Sequence, residues 1–228
     1  MIIDPVQNSM PQPPPQPNSE FLPDYDSVIR SQPRGYFRNV RPRQPVTYTF
    51  TDWASDSMLL LPPSTPESPG RVPIYQVSAS LNLNPFLPIC YVTQVHRGGT
   101  YVGELVGQFE FSLNHRRGIL TMGDVTTRIS NIVSSINADP RHLRWDFNNS
   151  HLRWDCRTTL DDGSPMCICY ARDAAMTQLA SFVPPAPDAS PPLPAATLTL
   201  FPDGHQDDLF DHIILSALIV ERKLTSNL

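Results

Sequence analysis

The stretch that decides the fold is DHIILSALIVERK, residues 211–223, near the C-terminal end of the chain. At 3.6 residues per turn, its apolar side chains and those of the two residues before it cover nearly the whole circumference of a helix. Acidic residues precede the stretch and two basic residues end it, which suits a helix dipole, so a core helix is predicted over residues 207–224. Its large apolar side chains are Leu209, Phe210, Ile213, Ile214, Leu215, Leu218, Ile219 and Val220.

A helix that is apolar on all sides must be surrounded by protein or by lipid. The apolar run is much shorter than the roughly 20 residues that span a bilayer. We therefore expect protein around the helix, and no transmembrane segment.

Short runs in which apolar and polar residues alternate begin at Val46, where Val46, Tyr48 and Phe50 alternate with threonines. Period two is typical of half-buried strands. About a dozen such runs precede the helix, among them predicted strands over 100–106 and 125–135. For residues 125–135 a helix is the alternative, although their β-branched residues favour a strand. The fold class predicted for residues 46–228 is therefore mainly β: a closed or nearly closed β-barrel around the hydrophobic C-terminal helix.

An internal echo predicts one hairpin in detail, because HLRWD at residues 142–146 recurs at residues 151–155. Asn tolerates the positive φ that tight hairpin turns need, so we expect the turn at Asn148-Asn149. In that register the large apolar side chains share one face of the hairpin, and two arginines oppose each other on the other face. The predicted pairs are Trp145 with Leu152, Leu143 with Trp154, and Arg144 with Arg153.

Residues 1–45 have a different composition, with ten prolines and no sustained periodicity. Such a segment buries too little apolar surface to offset its ordering entropy, so a disordered proline-rich tail is predicted. Two short patterns lie in it: the P-x-x-P spacing from Pro14 to Pro17, and Leu22-Pro23-Asp24-Tyr25, which resembles ligands of WW domains. Proteins with WW or SH3 domains are therefore candidate partners through residues 11–25.

A basic stretch without any acidic residue follows the proline-rich run. It reads either as a solvated linker or as a contact for anionic lipid headgroups. The candidate lipid-contacting residues are Arg30, Arg34, Arg38, Arg41 and Arg43.

Composition narrows the partners and the compartment. A formal net charge of −5 argues against a nucleic-acid binder, and no secretory signal is visible at the start. We therefore expect an intracellular, cytoplasmic protein, peripheral at membranes if lipid is its ligand, with its four cysteines as buried free thiols. No cofactor is predicted. A metal site is the weaker alternative, and it would use His142, His151, Cys156 and Cys167.

Three segments carry a family resemblance: Val46-Thr47-Tyr48-Thr49-Phe50, Ile74-Tyr75-Gln76-Val77, and above all residues 211–223. Together they resemble a fungal domain-of-unknown-function family whose fold is similar to the tubby C-terminal domain and the plant LURP-one-related proteins. The resemblance covers roughly residues 46–224. It implies a twelve-stranded barrel around a hydrophobic helix, and phosphoinositide binding or action at membranes as known for related domains. No lipid-contacting residue is carried over.

Three functions follow from these observations. The first is a non-catalytic binding or scaffold module that binds phospholipid headgroups at a membrane surface. The second is a protein-interaction adaptor that acts through the proline-rich tail. The third, an enzyme of unknown class, is disfavoured because no catalytic motif is visible, although His212 beside Asp211 could be read as a base.

Overall fold

The computed structural model describes residues 42–64, 70–86, 88–112, 117–191 and 193–225. They form thirteen strands, a single helical turn α1 (Ile129–Ile132), a short 3₁₀ helix (Pro202–His205) and the long helix α2 (Asp207–Thr225). The strands are β1 (Val46–Phe50), β2 (Ser57–Leu61), β3 (Tyr75–Asn82), β4 (Cys90–Arg97), β5 (Leu105–Ser112), β6 (Gly118–Met122), β7 (Val125–Arg128), β8 (Val133–Ile136), β9 (Asp139–Phe147), β10 (Ser150–Thr159), β11 (Pro165–Ala171), β12 (Gln178–Val183) and β13 (Thr197–Leu200).

All the strands belong to one antiparallel sheet with the order β7-β6-β5-β4-β3-β2-β1-β13-β12-β11-β10-β9-β8. The fold is therefore mainly β with one long C-terminal helix, as predicted. The first and last strands of the described chain, β1 and β13, pair in the middle of the order, where Val46 opposes Leu200. The two ends of the order, β7 and β8, follow one another in the sequence and are joined by α1.

The predicted hairpin is confirmed residue by residue. Strands β9 and β10 pair Trp145 with Leu152, Leu143 with Trp154, and Arg144 with Arg153. The four apolar side chains are buried, and Asn148 has the positive φ expected at the turn. The opposed arginines find other partners: Arg144 lies 3.9 Å from Asp146, and the Arg153 guanidinium lies 5.0 Å from the Tyr170 ring centroid.

Two predicted strands were wrong. Residues 100–104 form a turn rather than the start of a strand, and Gly103 shows why: a Cβ there would lie 1.8 Å from the Arg97 carbonyl oxygen. The predicted strand 125–135 is split by α1 into β7 and β8. Ile129 of α1 packs against Gly118 of β6, where a Cβ would lie only 2.8 Å from the Ile129 Cδ1 atom.

Helix α2 lies against the inner face of the sheet. Of the eight apolar side chains predicted for its core, seven are buried and Leu209 is half-buried against the same cluster. Close approach to the sheet depends on Gly107 of β5, since a Cβ there would lie 2.9 Å from Leu215 Cδ1. Midway along the helix, the Trp154 indole N–H donates to Ser216 Oγ at 3.0 Å. The helix thus supplies the common core of the strands around it.

Among the described residues, no helix combines the length and the apolar content needed to cross a membrane. The predicted tail, residues 1–45, lies outside the described residues up to position 41. The same holds for Leu22, Pro23 and Tyr25 and for residues 11–25 as a whole.

Candidate functional site

Two cavities lie at the two ends of α2, and they differ in chemistry. The cavity at the N-terminal end has a volume of about 430 Å³ and is lined by polar residues that include Arg97, Asp208, Asp211 and His212. The cavity at the C-terminal end has a volume of about 620 Å³ and is lined mainly by apolar side chains.

Asp211 is the centre of a polar network at the N-terminal end. The Tyr75 hydroxyl donates to Asp211 Oδ1 at 2.7 Å, and Arg97 Nη2 lies 2.5 Å from Asp211 Oδ2. Burial raises the pKa of Asp211, while the hydrogen bonds from Tyr75 and Arg97 oppose that rise. The carboxylate is therefore buried but satisfied, and it ties the start of α2 to strands β3 and β4.

His212 does not pair with the adjacent Asp211. Its ring packs against two aromatic side chains, with its centroid 6.3 Å from the Trp145 ring centroid and 5.7 Å from the Phe147 ring centroid. Its Nδ1 atom has no hydrogen-bond partner within the described part of the chain. Burial lowers the pKa of His212, and the acid–base pair suggested by the sequence does not form here because Asp211 is turned toward Tyr75 and Arg97.

The C-terminal cavity lies where α2 does not fill the space inside the sheet. Strands β1, β2, β3, β5 and β12 each contribute an apolar wall residue, and Leu218 of α2 supplies the helix side. The connection between β1 and β2 and the proline-rich connection between β12 and β13 supply more exposed residues at its edge. Its lining includes Phe50, Met58, Val77, Ala79, Phe109, Phe182, Leu193, Ala196 and Leu218, together with Trp53, Asp52, Glu221 and Arg222.

Glu221 is the acidic side chain that α2 contributes to this apolar cavity. Its backbone oxygen accepts a hydrogen bond from the Thr225 hydroxyl, but its carboxylate has no hydrogen-bond or ion-pair partner among the described residues. Burial raises the pKa of Glu221 to about 7, and the neighbouring Arg222 lowers it only in part. Glu221 is half-buried, and a carboxylate without a protein partner at the wall of an apolar cavity is available to bind a ligand.

The arginine stretch is represented in the described residues by Arg43 alone. It is exposed and lies three positions before β1. The other end of β1, at Phe50, lines the C-terminal cavity. Arg43 therefore sits at the opposite end of β1 from that cavity. The other four arginines, Arg30, Arg34, Arg38 and Arg41, lie outside the described residues.

The residues of the alternative metal site are placed on the paired strands β9, β10 and β11. His142 opposes Asp155 across the hairpin, and His151 Nδ1 lies 2.8 Å from Asp146 Oδ1. All four cysteines are buried free thiols, and the Cys167 thiol, together with burial, raises the pKa of Cys156. Across the part of the chain that the structure describes, no three His, Cys, Asp or Glu side chains are grouped as metal ligands.

Sequence reasoning missed the cavity residues Asp52, Trp53 and Glu221. The sequence pattern predicts no role for any of the three. One signal was available: Glu221 lies three positions after Leu218, so both fall on the same side of α2. Comparisons of the chain with protein-family models, with curated proteins and with solved structures gave no match.

Proposed function

We propose that this chain is a non-catalytic binding module that takes the apolar part of a small amphipathic molecule, such as a lipid, into the cavity at the C-terminal end of α2. The observation that carries the proposal is the cavity itself. Its volume of about 620 Å³ falls within the roughly 300–1,000 Å³ typical of small-molecule pockets. Its walls are mainly apolar, with a few polar groups near one side, which is the usual composition of such a pocket.

The location of the cavity favours recognition of an apolar chain over recognition of a phosphorylated headgroup alone. An anionic headgroup needs clustered basic groups, and the cavity has one arginine, Arg222, beside two acidic residues. The described arginine of the predicted lipid-contacting stretch, Arg43, lies at the other end of β1. Membrane lipid therefore remains a candidate source of the ligand, through its acyl part.

The closed barrel predicted from the sequence is part of the same proposal. In an antiparallel sheet of thirteen strands the two ends run in the same direction, so β7 and β8 are parallel. A parallel pair needs a connection of about a dozen or more residues, whereas α1 supplies four. Since α1 contacts both β6 and β9, we propose that β7, α1 and β8 act as one split strand that closes a twelve-stranded barrel.

The relationship to the tubby-like fungal family also remains a proposal. It is supported by the apolar helix held against the inner face of an antiparallel sheet.

The test of the proposed function is binding of N-phenyl-1-naphthylamine, a neutral apolar dye whose fluorescence rises in apolar surroundings, to the full chain. We expect saturable binding at one site. Ala79 is half-buried on the cavity wall, so Ala79→Phe should fill the cavity and weaken dye binding at least tenfold.

The matched control is Ser80→Phe, which adds a phenyl ring at the next position of the same strand, where Ser80 is exposed. Because successive side chains of a strand point to opposite faces, this ring should leave dye binding unchanged. Ala196→Phe fills the cavity from the other side and guards against a folding defect specific to Ala79→Phe. The proposal fails if the native chain binds no dye, or if both filled variants fold and bind as the native chain does.

A further inference from the structure

The charged side chains that line the C-terminal cavity have a negative net charge. The charged residues among its described lining are Asp52, Glu221 and Arg222, two acidic and one basic. Arg222 is exposed, so water screens its charge, whereas burial acts strongly enough on Glu221 to raise its pKa to about 7. The least solvated charge in the cavity is therefore negative.

A ligand would relieve this carboxylate if it supplied a positive charge. The Glu221 carboxylate is half-buried at the cavity wall and has no hydrogen-bond or ion-pair partner among the described residues. A ligand that displaced the water beside it would leave a charge without a partner, which is costly. An anionic ligand group would increase that cost, and a neutral one would relieve it only in part. Charge complementarity thus selects a cation at this position.

Trp53 gives a second, independent reason to expect a cationic ligand group. The indole lines the cavity with about half of its surface exposed, at 51%. The face of an indole ring carries negative charge density, and Trp is the best aromatic side chain for binding an ammonium group. Asp52, the preceding residue, also lies on the wall.

We infer that the amphiphile bound in this cavity carries a cationic, ammonium-type head group, which pairs with Glu221 and stacks on Trp53 while its apolar chain lies against the inner wall. The inference rests on the proposed function and deepens it by naming the ligand class. It differs from an anionic-headgroup ligand in the sign of the charge, so the two are separable by experiment.

The experiment measures displacement of the dye from the full chain at pH 8 by three ten-carbon amphiphiles, each below its aggregation concentration. They are decyltrimethylammonium, decanol and decanoate, which share a chain and differ in head-group charge. We expect decyltrimethylammonium to bind about tenfold more tightly than decanol, equivalent to about 1.4 kcal/mol, and decanoate to bind more weakly than decanol.

The role of Glu221 is tested by Glu221→Gln, which keeps the shape and removes the charge. This variant should bind decanol like the native chain and should lose the preference for the cation. Glu104→Gln, which neutralises a side chain exposed at 77% beside the other cavity, is the matched control and should keep that preference. Because protonation removes the Glu221 charge, the preference of the native chain should also shrink between pH 8 and pH 5.5.

The possible outcomes separate the inference from the proposed function. Decanol binding with no preference for the cation, or a preference unchanged in Glu221→Gln, overturns the inference and leaves the proposed function standing. Absence of binding by dye and decanol alike overturns both. Residues 226–228 follow Thr225, which lies at the cavity wall. If the chain binds only after these three residues are deleted, they are the occupant of the cavity, and the inference is overturned.

Discussion

The two ends of α2 each carry an acidic side chain beside a cavity, but only Asp211 is fully buried and has protein partners, whereas Glu221 is half-buried. At the N-terminal end, Tyr75 and Arg97 hold Asp211 at 2.7 and 2.5 Å. At the C-terminal end, the Glu221 carboxylate faces an apolar cavity and has no partner among the described residues. Burial raises the pKa of both groups. The difference teaches that a raised pKa alone does not identify a binding group: the Asp211 carboxylate is occupied by protein partners, whereas the Glu221 carboxylate at the cavity wall is available to a ligand.

The middle of the helix should be the most sensitive point, since both ends depend on it. Leu215 is fully buried, so Leu215→Asp would bury an unpaired charge and should cost more than about 4 kcal/mol of unfolding free energy. Truncation after Gly204 should give insoluble or unfolded protein, because it removes α2 entirely. Chemical denaturation followed by circular dichroism measures both effects.

The control for this prediction is Thr225→Asp, which places the same charge on an exposed residue of the same helix and should cost less than about 1 kcal/mol. A truncated chain that stays soluble, rich in β-structure and cooperatively folded would show that α2 is a detachable helix.

Glu221, at the C-terminal end of α2, should make the protein less stable as the pH rises. Below about pH 4.5, the ordinary pKa of a Glu side chain, the Glu221 carboxyl is protonated in both the native and the unfolded state. Between there and a pKa of about 7 the native state binds more protons, so stability falls with rising pH. Glu221→Gln should remove this loss and gain about 1–3 kcal/mol at pH 8 relative to the native chain. Denaturation midpoints from pH 4 to pH 8 test it, and parallel curves for the two proteins would contradict the assigned burial of Glu221.

His212, near the N-terminal end of α2, should make the protein less stable as the pH falls. Burial lowers the native pKa of His212 below the ordinary value of 6.5, so stability is retained above that pH and is lost as the pH falls below it. His212→Phe keeps a ring between Trp145 and Phe147 and removes the titrating group, so the stability lost between pH 7.5 and pH 5 should be smaller than in the native chain. Melting temperatures at pH 5 and pH 7.5 measure it. An acid loss in His212→Phe equal to that of the native chain would rule out a specific role for His212.

The smallest expected effect is that of Arg43→Gln on vesicle binding, which tests whether the arginine stretch or the cavity end of the molecule contacts a membrane. If the arginine stretch binds anionic lipid, Arg43→Gln should weaken binding to vesicles containing phosphatidylserine about fivefold, corresponding to about 1 kcal/mol per basic residue. The difference should fade with added salt, because exposed charges are screened. Flotation assays at two salt concentrations measure it. Unchanged binding in the variant, or no vesicle binding by the native chain, would leave the cavity end as the lipid-binding candidate.

The sequence was most informative where local pattern and long-range packing agree. The hairpin register followed from the repeated HLRWD, because a shift by one residue would have turned Trp145 and Trp154 outward. Helix α2 was equally predictable, since an apolar stretch of that length without a polar face requires burial.

Prediction failed where tertiary geometry overrides local pattern. Residues 125–135 have the β-branched composition of a strand, yet Gly118 lets Ile129 pack against β6, and the chain makes one helical turn there. The cavity could not be predicted from the sequence for a related reason. It exists because the side chains of five strands and Leu218 of α2 leave a space between them, and the size of that space depends on tertiary packing rather than on a local sequence pattern. Only Glu221, on the same side of the helix as Leu218, gave a signal in advance.

The pairing of β1 with β13 has a consequence for how the chain is made. Thr47 and Thr199, whose hydroxyls lie 2.9 Å apart, are separated by 152 positions in the sequence. During synthesis on the ribosome, β1 and the strands that follow it emerge well before β13 and α2. Contacts this distant in sequence form slowly, and the apolar inner face of the early strands stays uncovered until α2 has been synthesised. Newly made chains should therefore depend on chaperones until α2 is released.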